Sequence, residues 1–363
     1  LDPMISRSED DFTRIALKAK AAQDYFLLIG PPGTGKTSCA LKKMVETFHA
    51  DKDAQILLLS YTNRAVDEIC KSLASIAPAV DFIRVGSELS CDEAYRGHLI
   101  ENELSSCNRR SEVYERIRNC RIIVGTVAAI SGKPELFRLK HFDVAIIDEA
   151  TQILEPQLLG ILCARGEDGK DAIDKFVLIG DHKQLPAVVQ QNTEQSAIYD
   201  ESLLSIGLTN LKDSLFERLY RNCTATVHRS YDMLCRQGRM HPEVALFANR
   251  AFYGGRLIPV GLPHQIESSD TICRFAFYPS VPEKAGASAK INYSEARIVA
   301  GLAVRIYEDH QADFDESRTL GIITPYRSQI ALIQTEIESL GIPPLNRILL
   351  DTVERFQGSE SDV

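Results

Sequence analysis

Short apolar runs recur along the first half of the chain, each bounded by polar or turn-forming residues. Six of them read as buried strands: 25–29, 55–60, 81–86, 121–126, 144–149 and 175–181. Their hydrophobicity is nearly continuous rather than alternating, which predicts strands covered on both faces. Helical spacing fills the intervals. Phe12, Ile15, Ala16 and Ala19 recur every three or four residues. That helix should be capped by Ser8, with Asp11 three positions on, and has acids at 9–11 where the dipole favours them. Thr62 or Asn63 is the expected cap of a helix after the second strand. Strands alternating with helices predict an α/β fold built on parallel sheets, with ligands at the carboxyl ends of the strands.

Other stretches are organised differently. Residues 87–120 are polar, charged and helix-prone, and read as an insertion. Residues 190–211 are turn-rich and should close a first domain, 1–211. A helix beginning at Ser214 opens a second, 212–363, with a strand over 321–326 and a helix through 328–340. Residues 280–290 read as a surface loop.

Composition narrows the function classes. A chain of 363 residues can bury two cores. The net charge of −9 argues against a broadly basic surface, so any nucleic-acid contact should be a local groove. Nine cysteines without a Cys-x-x-Cys pair point to a reducing compartment, cytoplasmic or, in a eukaryote, nuclear. They also argue against a structural zinc or iron–sulfur site. His228, His241 and His264 lack metal-ligand spacing and read as structural. No apolar run reaches membrane-spanning length, and no signal peptide is recognisable. The chain starts at Leu1 and stops at Val363 within an apparent strand entry, so a piece of a longer protein is expected.

Candidate chemistry centres on Gly30-Pro31-Pro32-Gly33-Thr34-Gly35-Lys36-Thr37. It fits the phosphate-loop pattern and sits between an expected strand and helix. Glycines let the backbone curl so that N–H groups face inward, and a helix N-terminus adds positive potential. Lys36 can reach outer phosphates and the Thr37 hydroxyl can ligate Mg²⁺. The strand 144–149 ends in Asp148-Glu149, one carboxylate for the metal and one to deprotonate water. Gln184, in Gly-Asp-His-Lys-Gln-Leu-Pro after the sixth strand, can sense a γ-phosphate, and Asp181 is open to a structural role.

These segments continue in order with Ser-Tyr-Thr-Asn-Arg-Ala-Val-Asp from residue 60, Gly125-Thr126, Asp-Glu-Ala-Thr from 148, Gln-Gly-Arg-Met-His-Pro from 237, Thr324-Pro325-Tyr326 and Val-Glu-Arg-Phe-Gln-Gly-Ser-Glu from 353. The series resembles a superfamily 1B helicase core. It is most similar to the branch of the nonsense-mediated-decay RNA helicase and the replication nuclease–helicase, leaning to the latter. The resemblance implies two RecA-like domains, each a parallel sheet flanked by helices, using ATP and Mg²⁺. Gly30, Pro32, Gly33, Thr34, Gly35, Lys36 and Thr37 would hold phosphate, and Thr37 and Asp148 the metal. Glu149 would be the base and Gln184 the coupler. Arg239 would be an arginine finger from the second domain. Gln357, Gly358 and Glu360 would lie at the nucleotide cleft. Thr62, Asn63, Thr126, Thr324, Pro325, Tyr326 and Thr352 would meet single-stranded nucleic acid, DNA favoured over RNA, with movement 5′ to 3′. For Thr126 and Thr352 the plainer alternative is a helix cap or a β-branched strand residue.

Two positions depart from the family. Its adenine-reading glutamine falls near Phe12, and the aromatic that stacks on adenine is replaced by Gly238. Weak discrimination among nucleoside triphosphates follows. The family's last motif, with a second arginine finger, is expected beyond Val363, so these residues alone should hydrolyse ATP poorly. Two other readings remain open: a phosphate-loop ATPase that remodels protein complexes, and a catalytically impaired nucleic-acid-binding fragment. No protein partner is indicated.

Overall fold

A computed structural model describes residues 10–226, 230–266, 276–281, 290–356 and 359–363. The chain forms two compact units, Leu1–Ile272 and Cys273–Val363. Among the described residues no helix is long and apolar enough to cross a membrane.

All six expected strands form: β1 (Tyr25–Ile29), β2 (Ile56–Ser60), β3 (Phe82–Val85), β4 (Ile122–Thr126), β5 (Val144–Ile147) and β6 (Phe176–Gly180). They join β7 (Tyr231–Met233) in one parallel sheet of order β3-β4-β2-β5-β6-β1-β7. Because successive strand residues point to opposite faces, each run supplies two cores at once. Phe26, Leu28, Ile56, Leu58, Val124 and Ile146 pack against the helices Asp11–Ala21, Lys42–His49 and Asn63–Ala74. Leu27, Ile29, Leu57, Leu59, Ile123 and Ile147 face the helices Glu155–Leu162 and Leu215–Ala225. Each such side chain, fully buried, stabilises the sheet by about 1.5–3 kcal/mol before entropy is counted.

The helix Asp11–Ala21 is capped not by Ser8, which lies outside the described residues, but by Asp10. The Asp10 carboxylate accepts from the Thr13 amide at 2.9 Å, and a cap must directly precede the first helical residue. The stretch after the phosphate loop begins as a π-helical turn, Lys36–Leu41, before the α-helix. Between β3 and β4 lie the 3₁₀ turns Glu88–Ser90 and Glu93–His98 and the helices Ile100–Glu103 and Arg110–Asn119. Short helical pieces thus occupy the polar 87–120 stretch.

The edge strand β7 has no strong sequence signal, being three residues with a central Asp232. Leu27 pairs with Tyr231 and Ile29 with Met233. The Asp232 carboxylate is gripped by Arg14 at 2.8 Å and Lys18 at 2.7 Å, both from the helix Asp11–Ala21. A short parallel ladder follows, β8 (Arg236–Gln237) with β9 (Ile258–Pro259), enclosing the helix Pro242–Phe252. Through β7 and these elements the first compact unit runs past the turn-rich 190–211 segment to Ile272.

In the second unit β10 (Gly321–Thr324) pairs in parallel with β11 (Leu349–Thr352). The helices Tyr293–Asp309 and Arg327–Glu338 cover a small core of Ala296, Ala300, Leu320, Ile333 and Ile337. Most of the expected 280–290 loop lies outside the described residues.

Candidate nucleotide site

The phosphate loop leaves the carboxyl end of β1, between β6 and β7. Gly33 and Gly35 have φ of 72° and 76°, conformations costly to side-chain-bearing residues. At Gly33 space is also limiting: a Cβ would stand 2.4 Å from the Cβ of Arg239. The Gly238 amide donates to the Gly33 carbonyl at 2.8 Å, so the backbone carrying Arg239 rests directly on the loop. Within the loop the Thr34 hydroxyl donates to the Pro31 carbonyl at 2.7 Å, and the Gly30 amide donates to Gly180 at 2.9 Å. Those two groups hold the loop's shape, leaving the amides nearer Lys36 for anions.

The strands bring two carboxylates to this loop. Thr37 Oγ1 donates to Asp148 Oδ2 at 2.5 Å, and Lys36 Nζ lies 3.4 Å from Glu149 Oε1. Asp148 is 1% exposed. Burial and the adjacent Glu149 carboxylate push its pKa up to about 6, outweighing the Thr37 hydroxyl and the Lys36 ammonium. Such a crowded pair of hard oxygen donors suits a small divalent cation, whose charge reverses the local penalty. Glu149 is the sole non-glycine residue of positive φ (52°) among those described. Strain of this kind, held by surrounding structure, gathers at functional sites. Gln152 Nε2 donates to Glu149 Oε2 at 3.1 Å and fixes the carboxylate's far oxygen.

Gln184 sits one turn beyond β6 with its Nε2 donating to Asp181 Oδ2 at 3.0 Å. Asp181 is 1% exposed and takes two further donors, the Lys183 amide at 3.0 Å and the Tyr253 hydroxyl at 2.7 Å. Sequence reasoning left Asp181 with an open structural role and missed Tyr253, which lies 72 positions away. It also missed Gln237 and Gln265. The buried Gln237 Oε1 accepts from the amides of Arg239 (3.0 Å) and Met240 (2.7 Å). Gln265 Nε2 donates to the carbonyls of Gln237 and Met240, each at 3.0 Å. Two glutamine side chains thus fix the turn that presents Arg239. His241 caps the next helix, accepting from the Glu243 amide, and His264 bonds the Gly238 carbonyl. His228 lies outside the described residues.

The nucleic-acid candidates divide between the units. Thr62 and Thr126 are helix N-caps, their hydroxyls accepting from Ala65 at 3.2 Å and Ala129 at 3.1 Å. They follow neighbouring strands, where Ser60 pairs with Thr126. Asn63 opens the helix behind Thr62. In the second unit Thr324 and Thr352 are register partners at the ends of β10 and β11, both buried. Pro325 leads into Tyr326, which is exposed at the start of the helix Arg327–Glu338, with Lys290 Nζ 5.9 Å from its ring centroid. Glu360 belongs to the same unit; Gln357 and Gly358 lie outside the described residues.

Two families described as AAA domains match the chain, one over residues 7–115 and 102–192, the other over 211–363. The DNA replication ATP-dependent helicase/nuclease DNA2 of Xenopus laevis is 29% identical, covering 94% of this chain and 32% of its own length. The DNA replication ATP-dependent helicase/nuclease JHS1 of Arabidopsis thaliana is also 29% identical, over 97% of this chain and 25% of its own length. The chain thus spans a third or less of these relatives. An Arterivirus nonstructural protein 10 (helicase) solved with DNA aligns with 94% of this chain and 63% of its own, at 16% identity and a TM-score of 0.42. The matched families together with the ordered motifs show that this chain belongs to the AAA-domain helicases of superfamily 1B.

Proposed function

We propose that the chain is the motor core of an ATP-dependent translocase that moves 5′ to 3′ on single-stranded nucleic acid and separates duplexes, with DNA as its track. The observation that carries this reading is the double pairing of Lys36 with Glu149 and Thr37 with Asp148, beneath a loop on which the Arg239 backbone rests. The relatives' names, which specify DNA replication helicase/nucleases, favour DNA over RNA. The matched stretch 211–363 supports a functional division near residue 211.

In this mechanism the loop amides and Lys36 hold the triphosphate, and Thr37 and Asp148 hold Mg²⁺. That ion supplies charge neutralisation at the phosphates. Glu149 accepts a proton from the attacking water at its carboxylate, and the hydrogen bond from the Gln152 side-chain amide keeps that carboxylate aimed. Gln184 exchanges its hydrogen bond to Asp181 for the γ-phosphate. Arg239 neutralises charge as the bond to the leaving group lengthens, a contact class worth about a thousandfold or more. Gly358 and Glu360 keep the nucleotide-contacting roles that the family resemblance implies. Thr62, Asn63 and Thr126 of the first unit, and Thr324, Pro325, Tyr326 and Thr352 of the second, are each assigned to bind the strand's backbone without reading sequence.

The test is steady-state ATP hydrolysis with and without single-stranded DNA and RNA. Stimulation by DNA above RNA supports the reading. Hydrolysis indifferent to both polymers moves the assignment to a protein-remodelling ATPase.

A further inference from the structure

Asp181 does more than end β6. Its Oδ2 is shared by Gln184 Nε2 at 3.0 Å and the Tyr253 hydroxyl at 2.7 Å. Its Oδ1 is tied to the Lys183 amide at 3.0 Å, so the carboxylate cannot turn to serve one donor alone. Tyr253 is 5% exposed and caps the carboxyl end of the helix Pro242–Phe252. The amino end of that helix is capped by His241, two residues past Arg239. Its far end is braced as well. Asn249 exchanges hydrogen bonds with the Leu257 backbone, both at 2.9 Å, and Arg256 donates to the Tyr253 carbonyl at 3.2 Å. One rigid helix therefore has the arginine turn at one end and a hydroxyl on Asp181 at the other.

We propose that Tyr253 and Asp181 form the link through which the state of Gln184 reaches the Arg239 segment. The proposal rests on Gln184 being the γ-phosphate sensor. While Gln184 is on Asp181, two donors compete for one oxygen. When Gln184 leaves for phosphate, Oδ2 is left to Tyr253 while the Lys183 amide keeps Oδ1, and the Tyr253 hydrogen bond shortens and strengthens because that oxygen's charge is no longer shared. The helix is drawn toward β6 and the Arg239 turn moves with it. Tyr253 is a positioning residue: it touches no substrate and acts through the helix. A two-state element biased from both ends is the physical requirement for such coupling.

The experiment is a double-mutant cycle on strand-stimulated ATP hydrolysis using Gln184→Ala, Tyr253→Phe and the pair, with nucleotide Kd and Tm measured for each. Phenylalanine keeps the ring and removes only the hydroxyl. Tyr253→Phe should lower stimulated kcat about tenfold in the otherwise unaltered protein while leaving the ATP Kd unchanged, within the usual range of coupling between sites. In the Gln184→Ala background the same change should cost less than about twofold, because the signal it carries is already gone. Equal losses in both backgrounds, or no loss in either, overturn the proposal while leaving the role of Gln184 intact. An unchanged kcat in Gln184→Ala overturns both. Should Tyr253→Phe fail to fold, Asp181→Asn, which keeps an acceptor oxygen but removes the shared charge, completes the same cycle with the same criteria.

Discussion

Replacing Glu149 with glutamine should abolish hydrolysis and, less obviously, tighten nucleotide binding. Lys36 Nζ stands 3.4 Å from Glu149 Oε1, with the two side chains 11% and 21% exposed. At that separation and an effective dielectric near 20, the attraction is about 5 kcal/mol. Desolvation of both charges cancels most of it, leaving roughly 1–1.5 kcal/mol. An incoming phosphate must draw Lys36 from this partner, so the pair works against nucleotide binding. Glu149→Gln removes the charge and that competition. It keeps an oxygen for Gln152 and imposes no new demand at a φ of 52°. The Mg·ATP Kd should fall about tenfold, while kcat falls by about 10²–10⁴ through loss of the general base. A fluorescent ATP analogue reads the first and phosphate release reads the second. An unchanged or weaker Kd refutes the competition argument. Hydrolysis within about tenfold of the unaltered protein refutes the role of Glu149 as base.

Two further outcomes follow from other parts of the first unit. Burial opposes the Asp232 carboxylate, but hydrogen bonds from Lys18 and the Met233 amide and the charges of Lys18 and Arg14 outweigh it and hold its pKa below 3.8. Its contribution to stability is therefore present above about pH 4 and lost as pH falls through the folded value. Asp232→Asn should cost about 2 kcal/mol at pH 7 in denaturant unfolding, and that difference should shrink as pH falls through the folded value; a pH-independent cost would show that the ion pairs are not its source. Phe12 lies beside Gly35, and a Cβ at Gly238 would meet Leu262 and Val260, so neither departed position carries the family's glutamine or aromatic ring. ATP and GTP should be hydrolysed with kcat/KM within about tenfold, and a preference of about a hundredfold would contradict this.

The sheet was legible because six of its seven strands are largely apolar runs, and burial on both faces leaves that mark in sequence. β7 was not, because its stability comes from Leu27 and Ile29 beside it and from Arg14 and Lys18 on its aspartate, all some two hundred positions away. The phosphate loop and Asp148-Glu149 were legible because their spacing is local. The left-handed φ of Glu149 was not, since no glycine announces it. Thr62 and Thr126 show how one residue type serves two ends: the hydroxyls expected to face a strand's backbone also cap helices. Asp181 lay within a recognised motif, yet its partner Tyr253 stands 72 positions away, where no local spacing announces it. Ser8 lost to Asp10 as cap because helical spacing alone does not fix where the first turn begins.

The most direct test of the account is translocation itself. The protein is bound to single-stranded DNA of increasing length with a fluorophore at one end, ATP is added, and the time to signal is followed by stopped flow. The account predicts a delay that grows linearly with length when the fluorophore is at the 3′ end, and none in Glu149→Gln. A delay independent of length at both ends would mean that hydrolysis does not drive movement along the strand.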